Sequence, residues 1–129
     1  MGGISLRAIS LETESEMLAR IMVWYPSVDD VIDMNVNALD LSRDKYPYKM
    51  LGSVERIQTI LERVREVEGD GLAHQAALIM KEFADAQIFA GANHRTGYGL
   101  AKMFLRRNGK RLRVDDLKKR ISVYKEHWN

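Results

Sequence analysis

At 129 residues the chain has room for one domain with its own hydrophobic core, and residues 1–129 are expected to form that single domain. A hydrophobic content of 46% and a charged content of 29% exclude a disordered chain. The net charge of +2 excludes a molecule that binds polyanions over its whole surface, and the lack of cysteine excludes disulfides, thiol nucleophiles and cysteine-held metals.

The first 26 residues read as a short extension of strand and helix. Ile4, Leu6 and Ala8 alternate with polar residues, the pattern of a half-buried strand. Thr13 and Glu16 have the spacing of a capping box, and Met17, Leu18, Ile21, Met22 and Tyr25 follow at helical intervals up to Pro26. Ser27 and Asp30 repeat the capping signature, and Val28, Val31, Ile32, Val36 and Leu39 line one face of the next helix. Residues Asp40 to Gly52 are polar, rich in tyrosine and broken by Pro47, so a loop or small hairpin is expected there, with Tyr46, Tyr48 and Met50 alternating.

Ser53 opens a further helix with Val54, Ile57, Ile60, Leu61 and Val64 on one side, and Gly69-Asp70-Gly71 closes it. From Leu72 to Phe83 the chain is apolar almost all round (Ala73, Ala76, Ala77, Leu78, Ile79, Met80), which predicts a buried central helix. Asn93 to about Arg107 reads as the next helix, stopped by Asn108-Gly109. Gly97 and Gly99 inside it cost about 1 kcal/mol each relative to alanine, a cost that close packing against another helix would explain. A last helix is expected from Asp115-Asp116, with Val114, Leu117, Ile121, Tyr124 and Trp128 as its apolar stripe. Such a stripe packs on the domain; left exposed, it would be a seam for a homodimer.

No apolar run approaches the roughly 20 residues of a membrane span. A chain without cysteine suits a reducing compartment, so a cytoplasmic protein away from membranes is expected. Basic residues gather in the last quarter, among them Lys102, Arg106, Arg107, Lys110 and Arg111. Such runs are more often the solvated side of helices than a nucleic-acid surface, so nucleic acid is not the expected partner.

Between the central helix and the next lies Gln87-Ile88-Phe89-Ala90-Gly91-Ala92-Asn93-His94-Arg95-Thr96. A helix N-terminus offers free N–H groups and partial positive charge to an anion. Gly91 and Ala92 leave that backbone open to close approach, and Arg95 adds a forked cation. Gly91, Ala92, Asn93, His94 and Arg95 are therefore the candidate phosphate or nucleotide cradle. Ile88 or Phe89 is expected to anchor the loop in the core.

This segment resembles the signature of the Fic/Doc (Fido) family, His-x-Phe-x-Asp/Glu-Gly/Ala-Asn-Lys/Gly-Arg. Phe89, Asn93 and Arg95 fall on matching positions. Ala92, Thr96 and the run Phe104 to Gly109 look most like the Doc, or death-on-curing, toxin branch. The resemblance implies an all-α fold: a compact helical bundle with a central buried helix and a small β-hairpin flap, in which Tyr46 and Tyr48 would lie beside a target chain. It also implies ATP or another nucleotide as ligand, and an antitoxin-like or target protein as partner.

The departures fall on the chemistry. Gln87 stands at the position of the family's catalytic His, and a glutamine amide cannot accept a proton near neutral pH. Gly91 stands at the position of the acid that helps hold Mg²⁺ and offers no ligand oxygen, so no metal-binding residue is assigned. His94 is the nearest replacement base. The expectation is a degenerate family member that keeps the cradle and acts by binding. Two alternatives stay open: an active enzyme, kinase-like or nucleotidyltransferase (AMPylating), moving a phosphate or nucleotidyl group from ATP to a protein hydroxyl, and an interaction protein with no ligand at the loop.

Overall fold

The computed structural model describes residues 22–42 and 47–111 together with Lys119. Four α-helices are found among them: α1 (Val28–Ser42), α2 (Val54–Glu66), α3 (Leu72–Ala86) and α4 (Asn93–Arg107). One 3₁₀ turn, Glu68–Asp70, joins α2 to α3. The strand read at Ile4 to Ala8, the capping box at Thr13, Tyr46 and the last helix with its stripe lie outside the described residues.

The helix starts follow their local chemistry. At α1 the Asp30 N–H donates to Ser27 Oγ at 3.1 Å, and the Ser27 N–H donates back to Asp30 Oδ2 at 2.8 Å. These reciprocal bonds satisfy groups that the helix itself leaves unpaired. Ser53 Oγ likewise accepts the Arg56 N–H at the start of α2. At its other end α4 closes on Gly109, at φ 72°, with the Lys110 N–H donating to the Leu105 carbonyl at 2.9 Å and the Gly109 N–H to that of Arg106 at 3.0 Å. This is the paired-bond stop that a left-handed glycine permits.

Burial makes α3 the centre of a compact all-α bundle. Ala73, Gln75, Ala76, Ala77, Leu78, Ile79 and Phe83 are buried on it. Around it stand Val31 from α1, Ile57, Ile60, Leu61 and Val64 from α2, and Leu100, Ala101, Phe104 and Leu105 from α4. Gly97 accounts for its own cost. A Cβ built there would lie 2.7 Å from the Met80 carbonyl oxygen, so α4 meets α3 backbone to backbone. At Gly99 the nearest atom would be the Met34 sulfur of α1.

Three expectations need correction. The helix expected to run to Tyr25 does not reach it, because residues 23–27 are not helical. Pro26 disfavours helical geometry at Tyr25. Asn108 then takes the backbone of Trp24 instead, Oδ1 accepting its N–H at 2.8 Å and Nδ2 donating to its carbonyl at 3.0 Å. The loop expected from Asp40 begins later, since α1 runs to Ser42. Val54, placed on the buried side of α2, is 39% exposed.

Of the region read as a loop or small hairpin, residues 47–52 are described, and they bond to the rest of the domain. Among the described residues its only ladder element is an antiparallel bridge between Met50 and Phe89. The Ala90 N–H donates to the Lys49 carbonyl at 2.9 Å, and the Leu51 and Gly52 N–H groups donate to Ile88 at 2.7 and 2.9 Å. Residues 49–52 are thus stitched to the loop between α3 and α4.

Candidate functional site

The loop between α3 and α4 starts and ends in strained backbone. Gln87 caps α3 at φ 47° and ψ 51°, and Ala92 precedes α4 at φ 58° and ψ 27°. Among the described residues these are the non-glycine positions with positive φ. A left-handed residue with a Cβ costs about 1–2 kcal/mol and persists only where its surroundings hold it.

Several bonds hold it here. The Asn93 side chain folds back over the loop: Oδ1 accepts the Phe89 N–H at 3.1 Å and Nδ2 donates to the Phe89 carbonyl at 2.8 Å. From beneath, the fully buried Asn35 of α1 donates through Nδ2 to the Gly91 carbonyl at 2.9 Å and to Thr96 Oγ1 at 3.0 Å. Thr96, also fully buried, donates its hydroxyl to the Ala92 carbonyl at 2.7 Å. Ile88 and Phe89 are buried and pin the loop to the core, as expected. The Tyr48 ring lies 5.9 Å from that of Phe89.

These bonds turn loop carbonyls inward and leave donors open. The first backbone bond of α4 runs from the Thr96 N–H to the Ala92 carbonyl. Among the described residues the N–H groups of Gly91, Ala92, Asn93 and His94 carry no hydrogen bond. His94 and Arg95 are exposed beside them, and Gly91 and Ala92 are half-buried. Chemically this is a short run of backbone donors next to a cation, suited to an anion's oxygens.

Not every expected residue contributes as expected. Both polar atoms of the Asn93 side chain are spent on Phe89, so toward a ligand Asn93 offers its N–H. Gln87 is exposed at the far end of the loop, on an αL cap rather than inside a helix. Tyr48, 40% exposed, keeps a face open beside the loop while its ring meets Phe89. Asp85 is paired with Lys81 at 3.4 Å, and His74 lies 3.7 Å from Asp70, so neither is placed as a base for the loop. Among the described residues no three of His, Asp and Glu gather as a metal site would require.

Asn35 was not foreseen. The available signal was a polar residue four positions after Val31 and four before Leu39, in the middle of the buried face of α1. A groove of about 740 Å³ between α1 and α4 was not foreseen either; Arg95 lines one end of it and Arg107 the other. Comparison with protein-family models, with curated proteins and with solved structures found no match.

Proposed function

We propose that this chain is a degenerate Fic/Doc-like protein that binds a phosphate-bearing ligand at Gly91 to Arg95 and acts by occupancy rather than by group transfer. The observation that carries this reading is the set of open N–H groups from Gly91 to His94, on a loop braced by Asn35, Asn93 and Thr96. Strained αL geometry at Gln87 and Ala92 supports it, since such strain collects at ligand-holding turns. The motif order of Phe89, Asn93 and Arg95 supplies the family resemblance.

Occupancy is favoured over transfer by chemistry. The amide of Gln87 can orient a hydroxyl but cannot take its proton, which commonly costs about 10²–10⁴-fold in rate. Gly91 offers no side-chain oxygen to Mg²⁺. The proposed ligand is ATP or another nucleotide, and the proposed setting is the cytoplasm, with an antitoxin-like or target protein as partner.

Titration calorimetry with ATP and with inorganic pyrophosphate tests the reading. Both are expected to bind, and Arg95→Ala is expected to weaken both. Absence of heat at millimolar ligand, with the protein folded, would overturn the cradle and leave an interaction protein with no ligand at the loop.

A further inference from the structure

Asn108 is a clasp at the C-terminal end of α4. Its Oδ1 accepts the Trp24 N–H at 2.8 Å, and its Nδ2 donates to the Trp24 carbonyl at 3.0 Å and to the Phe104 carbonyl at 2.8 Å. Residues 23–27 are not helical, so contacts of this kind place them. The Arg107 guanidinium lies 5.0 Å from the centre of the Trp24 ring. Tyr25 continues the strap, its hydroxyl bonded to Glu68 and Gln75.

The residue after the clasp is Gly109, and Asn108 is the one asparagine of the chain that glycine follows. Glycine has no side chain to shield its backbone nitrogen. Gly109 is exposed, and a Cβ built there would meet nothing within 4 Å. In such a pair the glycine nitrogen can attack the asparagine side-chain carbonyl carbon. The closed clasp opposes that attack. Its three bonds hold the amide in place, Asn108 sits at ψ 12°, far from the ψ that ring closure needs, and the Gly109 N–H is engaged with the Arg106 carbonyl at 3.0 Å.

We propose that Asn108-Gly109 is a spontaneous deamidation site that acts as a one-way latch: it is protected while Asn108 clasps Trp24, reacts when the clasp opens, and cannot close again afterwards. In the reaction the Gly109 nitrogen bonds to Asn108 Cγ and gives up its proton. The Cγ–Nδ2 bond breaks, and the side-chain nitrogen leaves as ammonia with that proton. Water then opens the succinimide at either carbonyl, giving aspartate or isoaspartate, with no oxidant or reductant involved. The nitrogen that donated to Trp24 and Phe104 is now an oxygen facing two carbonyl oxygens. Its negative charge also lies at the partly negative end of α4. Isoaspartate adds a backbone carbon just before the left-handed Gly109 that closes the helix. Trp24 is thereby released from Arg107. The inference does not rest on the anion reading and stands or falls separately from it.

The test incubates the full chain at mildly alkaline pH and follows amide-to-acid conversion by peptide mass mapping, with isoaspartate separated from aspartate by chromatography. Asn108 is expected to convert ahead of Asn35, Asn37 and Asn93. Tyr25→Ala, which loosens the strap, is expected to hasten conversion several-fold, because the rate follows the population of the open form. Should that variant fold poorly, urea below the unfolding transition of the unaltered chain replaces it. Trp128→Phe leaves Trp24 as the single indole. In that background the deamidated protein, separated by ion exchange, and Asn108→Asp should both shift Trp24 emission to longer wavelength while the helical circular dichroism is kept. If Asn108→Asp does not fold, the deamidated protein alone decides. Three results would each overturn the latch: no conversion at Asn108, equal rates with the strap closed and loosened, or conversion that leaves the Trp24 emission unchanged.

Discussion

The Asn35 amide donates to the carbonyl oxygen of Gly91 across 2.9 Å, and this bond carries the candidate cradle on α1. A second bond from the same nitrogen reaches Thr96 at 3.0 Å, while Asn35 Oδ1 is buried without a partner. One side chain thus fixes the orientation of a loop peptide and of the first turn of α4.

Asn35→Ala is therefore expected to destabilise the fold by about 1–3 kcal/mol, because the Gly91 carbonyl loses a buried partner. Asn35→Asp should cost more, since a carboxylate would face the Gly91 carbonyl and lie buried without a cation. Urea denaturation of both variants checks the order. Equal and negligible losses would mean that the loop does not depend on α1.

Gly97 and Gly99 should part company when each is replaced by alanine. Both substitutions gain about 1 kcal/mol of helix propensity. At Gly97 the new methyl would meet backbone, the Met80 carbonyl at 2.7 Å, so α3 and α4 must separate. A net loss of about 1–3 kcal/mol is expected there. At Gly99 the obstacle is the Met34 side chain, with its sulfur at 2.5 Å, and a methionine can swing aside. A change within about 1 kcal/mol of zero is expected, and thermal melts of the two variants side by side will show whether the order holds.

These residues also show how far the sequence could be read. Ser27, Ser53 and Gly109 announce helix ends because caps are local, using atoms within a few residues of each other. The buried character of α3 and the close approach at Gly97 follow from side-chain size along one helix. Bonds between distant segments are not written that way. Trp24 and Asn108 are 84 positions apart, and their pairing ends a helical pattern that looked intact up to Tyr25. Asn35 and Gly91 are 56 apart, so a polar residue on a buried face hints that a partner exists without naming it. The loop's αL residues were equally hidden, since neither glutamine nor alanine advertises positive φ.

Tyr25 should give stability a dependence on alkaline pH. Its hydroxyl donates to Glu68 Oε1 at 3.1 Å and accepts from Gln75 Nε2 at 2.8 Å. Burial pushes the phenol above its ordinary value of 10.0, the Gln75 amide pulls it back, and the Glu68 carboxylate adds to the rise. A raised folded value means the native state holds its proton more tightly than the unfolded chain. The associated stability is fully present below pH 10 and is lost as pH rises through the folded value. The stability difference between wild type and Tyr25→Phe should accordingly shrink above pH 10. A gap that stays constant to pH 11 would show that the phenol proton is not linked to folding.

The sharpest expectation concerns Gln87 and Gly91, and it rests on the proposed family reading. The protein as written is expected to transfer neither phosphate nor nucleotide to protein hydroxyls at a measurable rate. Gln87→His alone should restore little, because a base without a held metal leaves the phosphoryl charge uncompensated. Gly91→Asp alone should also restore little, for want of the base. Both substitutions suit the backbone: histidine tolerates the αL geometry found at Gln87, and Gly91 is not among the positive-φ residues. Together they should yield more activity than the sum of the two, since both groups act on one transition state. The assay follows γ- and α-labelled ATP separately onto cell-extract proteins, so that kinase-like and nucleotidyl transfer are told apart. Strong labelling by the unaltered chain that disappears with Arg95→Ala would contradict the occupancy reading and make the exposed His94 the next residue to replace.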